Sequence, residues 1–390
     1  MEVKEMCGND GECSISLDDT WQRRGHTSHN GIVTAIPLDT KKCVDVEIMA
    51  DKCKQCEKWE KRTSDPKYAE WKANHCCKIN HTGSAGSMET AGALRIFERS
   101  YVTRGLKYIK MLGDGDSSTY SAIVDSQPYG EDCIPRKLEC IGHVQKRVGS
   151  RLRKLKSTYK RTKLGDGKGV AGRGRLTDGK IDILQNYYGL AIRENINSTS
   201  QMAAVIEAAL YHVASTDENP QHHFCPDGQD SWCGYKRDPE SYKHKNGIPK
   251  CIVDLIKPIF DDLSKPELLE KCTHGLTQNV NECLNGIIWN RCPKTTYVEQ
   301  QTVALAAYLA VMKFNDGDVS FIKIFQDMDI TPGFFTSKGA QECDTSRIKL
   351  SAKKTTEKVK QRRKTLRHLR KSYIDIAEAN ETPAYEAGGF

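Results

Sequence analysis

The residues of this chain best suited to chemistry are a few carboxylates and two groups of cysteines and histidines. Asp18, in SLDDTWQRRG, follows a short alternating run, and Asp114, in LKYIKMLGDGD, follows an apolar one. If each run is a strand ending at its aspartate, and the strands are neighbours, both side chains reach one sheet edge. Paired carboxylates there hold hard divalent cations such as Mg²⁺, which prefer oxygen donors. Glu282, in NVNECLN, is the candidate third donor. Two such ions about 3.5–4 Å apart activate an attacking oxygen and stabilise a leaving one in phosphodiester chemistry. The plainer alternative is a pair of turn-forming aspartates, and with 51 acidic residues in the chain it carries weight.

The second chemistry is soft. Cys53-x2-Cys56 is followed about twenty residues later by HCCKINH, which offers His75, Cys77 and His81. That is tetrahedral zinc spacing. His75 and His81 compete for one place, and Cys76 is a neighbour of the right type. Downstream, His222-x2-Cys225-x7-Cys233 supplies three more donors, with Cys272 the natural fourth and His223, His274 and Cys292 as rivals. Free thiols in loops are the alternative, and both sites together imply two structural Zn²⁺.

These residues need elements to hold them. CSISLDDTW, GIVTAIPL and KKCVDVEIM read as three strands of an antiparallel meander, with SHNG and DTKK as turns. Alternation puts Ser14, Ser16 and Asp18 on one face, and Ile15, Leu17 and Asp19 on the other. Asp19 continuing that strand would point toward the core, so it is read as a turn residue. A helix over 86–104, a strand at LKYIKMLGDGD, a fifth strand at RKLECIGHV and a helix from about Val144 complete a mixed α/β sheet. From about Lys160 to Lys271 the strand signal gives way to helices with Thr or Ser caps. NVNECLNGIIWNRC and TYVEQQTVALAAYLAVMKF are apolar helices expected to return to the sheet, and the polar chain beyond TPGFF is expected to be extended or loosely helical.

Between Gln145 and Lys163, apolar Val148, Leu152 and Leu155 define one helix face and leave Lys146, Arg147, Arg151, Arg153, Lys154 and Lys156 on the others. Beside a carboxylate site such a face suits DNA phosphate contacts, which are salt-dependent and blind to sequence. A solvated charged face is the alternative. A second basic run, KKTTEKVKQRRKTLRHLRKS, reads as a nuclear-targeting or nucleic-acid tail. GKGVAG fits a dinucleotide glycine pattern but lacks the preceding strand that reading requires.

With 390 residues the chain can bury a sizeable core, and 38% hydrophobic with 28% charged residues is ordinary for a soluble protein. No apolar run approaches membrane-spanning length, and the first ten residues lack the apolar segment of a secretory signal. The sixteen cysteines therefore read as thiols or metal ligands before disulfides. The net charge of +8 is modest and clustered.

The ordered blocks SLDDTWQRRG, GSAGSMETAGALRIF, GDGDSSTY, KLECIGHVQKRVGSRLRKLK, GRLTDGKIDILQNYYGLAIR, STDENPQHHFCPDGQDSWC and HGLTQNVNECLNGIIWNRCPK together resemble the transposase domain of Mutator-like elements. The similarity runs from about Ser14 to about Phe335 and extends to the ending PAYEAGGF. It implies a ribonuclease H-like α/β core, a mixed sheet flanked by helices with a mainly helical zinc-binding insertion. It also implies an Asp, Asp, Glu triad that binds two Mg²⁺ or Mn²⁺ ions and cuts and joins DNA. The triad maps onto Asp18, Asp114 and Glu282, with Asp19 and Asp116 as close rivals; Asp18 is preferred because the family pattern tolerates Gly at the next position. A family Cys-x2-His motif maps onto Cys140 and His143, as a support or DNA-contact element.

The organisation expected is a first core segment at 12–159 with a zinc-binding insert at 51–85, and a helical insertion at 160–271. Final core helices at 272–335 and a basic tail at 336–390 follow. The implied partners are duplex DNA at element ends and target, in the nucleus, with no membrane; the oligomeric state stays open, a homo-oligomer on DNA included. Little chain precedes Asp18, so the recognition region usual in full-length members is expected to be missing. The rival readings are a domesticated, inactive DNA-binding protein of the same fold and a nuclease without strand transfer.

Overall fold

The computed structural model describes residues 11–23, 28–115, 117–229, 231, 233–244, 247–363, 365, 366 and 369. The chain divides into two compact units, Met1–Ala310 and Val311–Phe390.

The first unit is built on a five-stranded sheet. Strands β1 (Glu12–Trp21), β2 (Asn30–Pro37) and β3 (Asp45–Ala50) form the expected antiparallel meander, and β4 (Lys107–Gly113) and β5 (Arg136–Glu139) add on the other side of β1. The order is β3-β2-β1-β4-β5, with β4 parallel to both β1 and β5. β2 is buried at every position, which its run of apolar residues fits, because a strand covered on both faces need not alternate.

Between β3 and β4 lie two short helices, α1 (Lys54–Glu60) and α2 (Tyr68–Asn74), and then α3 (Ala85–Arg104). Ser84 caps the start of α3 by accepting from the Ser87 N–H, and Gly105 ends it in the left-handed conformation at φ 65°. α3 packs on the sheet through Met88, Gly92, Ala93, Ile96 and Phe97. At Gly92 a Cβ would fall 2.6 Å from Val33 Cγ2, so only glycine permits the close approach to β2.

After β4 come α4 (Ser117–Ser126), β5 and α5 (Ile141–Thr158). The fifth strand is shorter than expected: its IGHV half is already the first turn of α5. The helical block contains α6 (Asp178–Glu194), α7 (Thr199–His212), α8 (Gly234–Arg237), α9 (Lys250–Leu263) and α10 (Pro266–Glu270). Thr177 and Ser198 cap α6 and α7 as their types predict. The block has its own core, in which Val144, Val148 and Leu152 of α5 meet Leu184 and Tyr188 of α6 and Ile252 and Ile256 of α9. A separate core lies between α3 and the sheet. α5 thus joins the strand edge to the insertion.

The chain returns at residues 271–276. The Glu139 N–H donates to the Lys271 carbonyl and the Ile141 N–H to the Leu276 carbonyl. This delivers α11 (Asn279–Arg291) to the face of β1 and β2. Both faces of a mixed sheet are therefore covered, the ribonuclease H-like arrangement. α12 (Gln300–Asp316) spans the boundary between the units. In the second unit, Asp344 of α14 (Phe334–Thr355) accepts from the Asp318 and Val319 N–H groups at 3.0 and 3.1 Å, just ahead of α13 (Ser320–Asp327). The start of the polar C-terminal region is thus helical, while Lys364, Arg367, His368 and everything from Arg370 onward, part of the basic run, lie outside the described residues.

Candidate active site and metal centres

The carboxylates converge through strand register. β1 and β4 are parallel with Ser16 opposite Leu112, which puts Asp18 level with Asp114 two residues further along each chain. The strand does not end at Asp18, however. It continues through Trp21, with Asp18 paired to Thr34 and Asp19 to Val33 on β2. Asp19 is therefore a strand residue and not a turn residue. The expected burial cost is avoided because Asp19 is only half-buried, in a small open cleft that also holds Asp18, Asp114 and Gln278. Asp116, the rival of Asp114, lies outside the described residues.

The polar face of β1 needs a polar partner, and α11 supplies one along a single stripe. The Gln278 amide donates to the Leu17 carbonyl at 2.8 Å and to Asp18 Oδ1 at 3.2 Å. Fully buried Asn281 donates to the Ser16 carbonyl at 3.3 Å and to Thr34 Oγ1 at 3.1 Å. Asn285 donates to Asp18 Oδ2 at 2.8 Å, and the Trp289 indole N–H to Thr20 Oγ1 at 2.8 Å. Positions 278, 281, 285 and 289 recur at helical spacing, and Ser16, Asp18 and Thr20 at strand spacing. Glu282, next to Asn281 in the first turn of α11, is exposed.

The electrostatics report the crowding. Asp18 is pushed up to about 8, first by burial, then by the charges of Asp19 and Asp114; the Asn285 hydrogen bond opposes this, and Glu282 adds to it. A buried carboxylate whose charge is opposed by burial and by acidic neighbours is one that a bound hard cation would stabilise.

Cys140 and His143 stand beside this group. Cys140 begins α5; its N–H donates to the Gly113 carbonyl at 3.0 Å and its buried Sγ accepts from the Gln278 N–H at 3.4 Å. It thereby ties the end of β4 to the start of α11. His143 is held below its ordinary pKa by burial and by Lys146, while Asp114 and Glu282 pull it upward.

The soft donors also assemble. Cys53, Cys56, His75 and Cys77 bring one ligand atom each within 4.8 Å of one another. His75 Nε2 lies 3.6 Å from Cys53 Sγ and 3.2 Å from Cys56 Sγ, and the Cys56 and Cys77 sulfurs are 3.4 Å apart. A tetrahedral zinc with bonds of about 2.0–2.3 Å holds its donors roughly 3.3–3.8 Å apart. His81 turns away to Ser87 Oγ at 2.9 Å. Neither α1 nor α2 contains a buried residue, and the stacking of Trp71 on Trp59 and His75 at 5.3 and 4.7 Å is a small substitute for a core.

The second cluster is His212, His222, Cys225 and Cys233. Cys233 Sγ is 3.6 and 3.4 Å from the Nδ1 atoms of His212 and His222, and Cys225 Sγ is 3.8 and 3.7 Å from them. The expected fourth donor, Cys272, is not there. It is fully buried in the core of the helical block, where burial and the neighbouring Glu139 push its thiol up to about 12. His212, the last residue of α7, takes the place. His222 Nε2 is within 2.9 Å of Ser215 Oγ and 2.7 Å of His244 Nε2, and His244 Nδ1 is 2.6 Å from Asp217. Outer contacts of this kind orient a ligating imidazole.

The basic helix is more occupied than its sequence suggests. Arg147 pairs with Glu139 at 2.7 Å, Arg151 with Asp262 at 2.5 Å, Arg153 with Asp182 at 2.6 Å and Lys156 with Asp178 at 2.9 Å. Lys146 and Lys154 are exposed.

The family model of Mutator-like transposases matches residues 1–233. The chain belongs to the Mutator-like transposase family. The matched residues contain Asp18, Asp114, Cys140, His143 and both Cys/His clusters, and they end before Glu282. No curated protein and no solved structure matches the chain. Among the described residues no helix is long and apolar enough to cross a membrane. The two clusters are consistent with structural zinc sites in a Mutator-like transposase fold.

Proposed function

We propose that this Mutator-like chain is a DNA transposase catalytic domain that cleaves DNA at element ends and joins the freed end to target DNA, acting on duplex DNA in the nucleus. The observation that carries the reading is the cleft shared by Asp18, Asp19 and Asp114, with Asp18 pushed up to about 8 by burial and by acidic neighbours that include Glu282. Asp18, Asp114 and Glu282 would hold two Mg²⁺ or Mn²⁺ ions. When bound, such ions supply charge neutralisation at the reacting phosphate and acidify a water.

The protein's own contribution is positioning. Asn285 and Gln278 fix both Asp18 oxygens, and Asn281 fixes the helix that carries Glu282. Cys140 locks α11 to the end of β4. Exposed Lys146 and Lys154 would contact the phosphate backbone. Water attacks the phosphodiester at the element end, and the freed 3′-hydroxyl then attacks target DNA; both steps draw mainly on orientation and electrostatic stabilisation. The two Cys/His clusters bind structural Zn²⁺.

The test is Mg²⁺-dependent cleavage and joining on pre-nicked and intact element-end DNA. Joining that Asp18→Asn, Asp114→Asn or Glu282→Gln abolishes, with DNA binding retained, supports the reading. Cleavage without joining indicates a nuclease, and DNA binding without cleavage an inactive DNA-binding descendant.

A further inference from the structure

We infer that helix α1 of the small cysteine- and histidine-bearing insert is a DNA-binding face, whose stripe of Lys54, Lys58, Lys61 and Arg62 takes the phosphate backbone of the duplex beyond the cleaved end. The inference rests on the proposed active site for which stretch of DNA is held there, while its contacts are read without cleavage. Sheet topology sets the position. β1 and β3 both run antiparallel to β2, and β4 is parallel to β1. The chain therefore leaves β3 at the edge where β1 and β4 deliver Asp18 and Asp114. Asp18 is level with Thr34 and, through it, with Val46 on β3. Asp51, at the root of the insert, thus stands roughly 20 Å from Asp18, from two strand spacings across and five rises along. That is about six base pairs of duplex.

Three observations single out α1. Lys54 and Lys58 share one helical face, which Lys61 and Arg62 continue past the helix end, whereas Cys56 and Trp59 lie on the other side, toward His75, Cys77 and Trp71. Lys58, Lys61 and Arg62 are exposed and make no ion pair among the described residues, and Glu57 of the same helix turns to Lys52 at 2.8 Å. The basic helix α5 differs, since aspartates meet its Arg151, Arg153 and Lys156. Finally, the gap of about 290 Å³ between the insert and the start of α12 is polar, with Lys52, Gln55, Asn74, Lys78, Glu299 and Gln301 on its wall. Such a wall, beside unpaired cations, suits a phosphodiester strand better than an apolar segment of a protein partner.

The experiment measures binding of the full chain to random-sequence duplexes over a range of salt, with no divalent cation added and with zinc content and melting temperature followed in parallel. Lys58→Gln with Lys61→Gln and Arg62→Gln should keep zinc and melting temperature while the slope of log affinity against log salt falls by about 2–3, at roughly 0.9 per phosphate contact. Lys58→Arg with Lys61→Arg, which keeps both charges, should bind as wild type. If the triple variant loses zinc, Lys58→Gln alone should lower the slope by about 0.9. On pre-nicked duplexes, trimming one flank to about five base pairs should erase the difference between wild type and the triple variant. An unchanged slope would overturn the inference, and a difference that survives trimming of either flank would overturn its place beside the cleaved end. A slope that depends on α1 in a protein that never cleaves DNA would overturn the proposed active site and leave the DNA-binding face standing.

Discussion

Asp18 is the residue at which the proposed site costs the fold most, so replacing it by Asn should stabilise the protein when no divalent cation is added. A carboxyl titrating near 8 in the fold and near 3.8 in the unfolded chain penalises the folded state once it must be ionised. The penalty is absent below about pH 4, grows as the pH rises, and is complete above about pH 8. Its ceiling is roughly 6 kcal/mol at 1.36 kcal/mol per pH unit; water in the open cleft screens part of it, leaving about 2–3 kcal/mol. Asn at position 18 keeps the shape and removes the charge. It would set an amide N–H₂ against the Asn285 N–H₂, but the Asn285 Oδ1 has no hydrogen-bond partner, so turning that side-chain amide restores the bond. Asp18→Asn should therefore raise the melting temperature at pH 8 by about 2–5 °C, given that a chain this long responds with about 2 °C or less per kcal/mol. The gain should shrink at pH 5. Added Mg²⁺ or Mn²⁺ should stabilise wild type and leave the variant unmoved, because only wild type gains from binding. Calorimetry at pH 5 and pH 8, with and without cation, decides it. A variant less stable than wild type at pH 8 without cation, or one that Mn²⁺ stabilises as much as wild type, would refute the reasoning.

The purified chain should carry about two zinc ions by elemental analysis, with His212→Ala losing one and Cys272→Ala losing none; the reverse pattern would restore Cys272 as the ligand. Cys56→Ser should expose residues 51–85 to limited proteolysis, since α1 and α2 have no buried residue to hold them, and retained resistance would mean that metal does not organise the insert. Lys146→Gln with Lys154→Gln should lower the slope of log affinity for duplex DNA against log salt by about 2, at roughly 0.9 per phosphate contact. Arg151→Gln and Arg153→Gln should lower it less, because Asp262 and Asp182 already offset those charges; equal effects would show that these pairs open on DNA. Asn281→Ala should cost about 1–3 kcal/mol in denaturant unfolding by leaving buried polar groups of Ser16 and Thr34 short of a donor, and an unchanged midpoint would show that α11 is held by other contacts.

What was legible in the sequence is whatever local periodicity determines. The alternation of SISLD separates Asp18 from Ile15 and Leu17, the runs from Cys13 to Ala50 announce a meander, and Cys53-x2-Cys56 places two thiols on one helical turn. These depend on neighbours a few residues apart. The departures come from partners far away in the chain. Asp18 seemed to end its strand because a second acidic residue followed it, yet β1 runs on to Trp21 because α11, more than 250 residues later, lays Asn285 and Trp289 on its polar face. His212 closes an apolar helix ten residues before the next member of its cluster and belongs to no short ligand motif, whereas Cys272 stood conspicuously near the glutamate block; only the approach of His222, Cys225 and Cys233 to the end of α7 makes the histidine the fourth candidate donor. The basic helix misleads for the same reason. Its charges are printed together in the sequence, but Asp178, Asp182 and Asp262 reach it from α6 and α9.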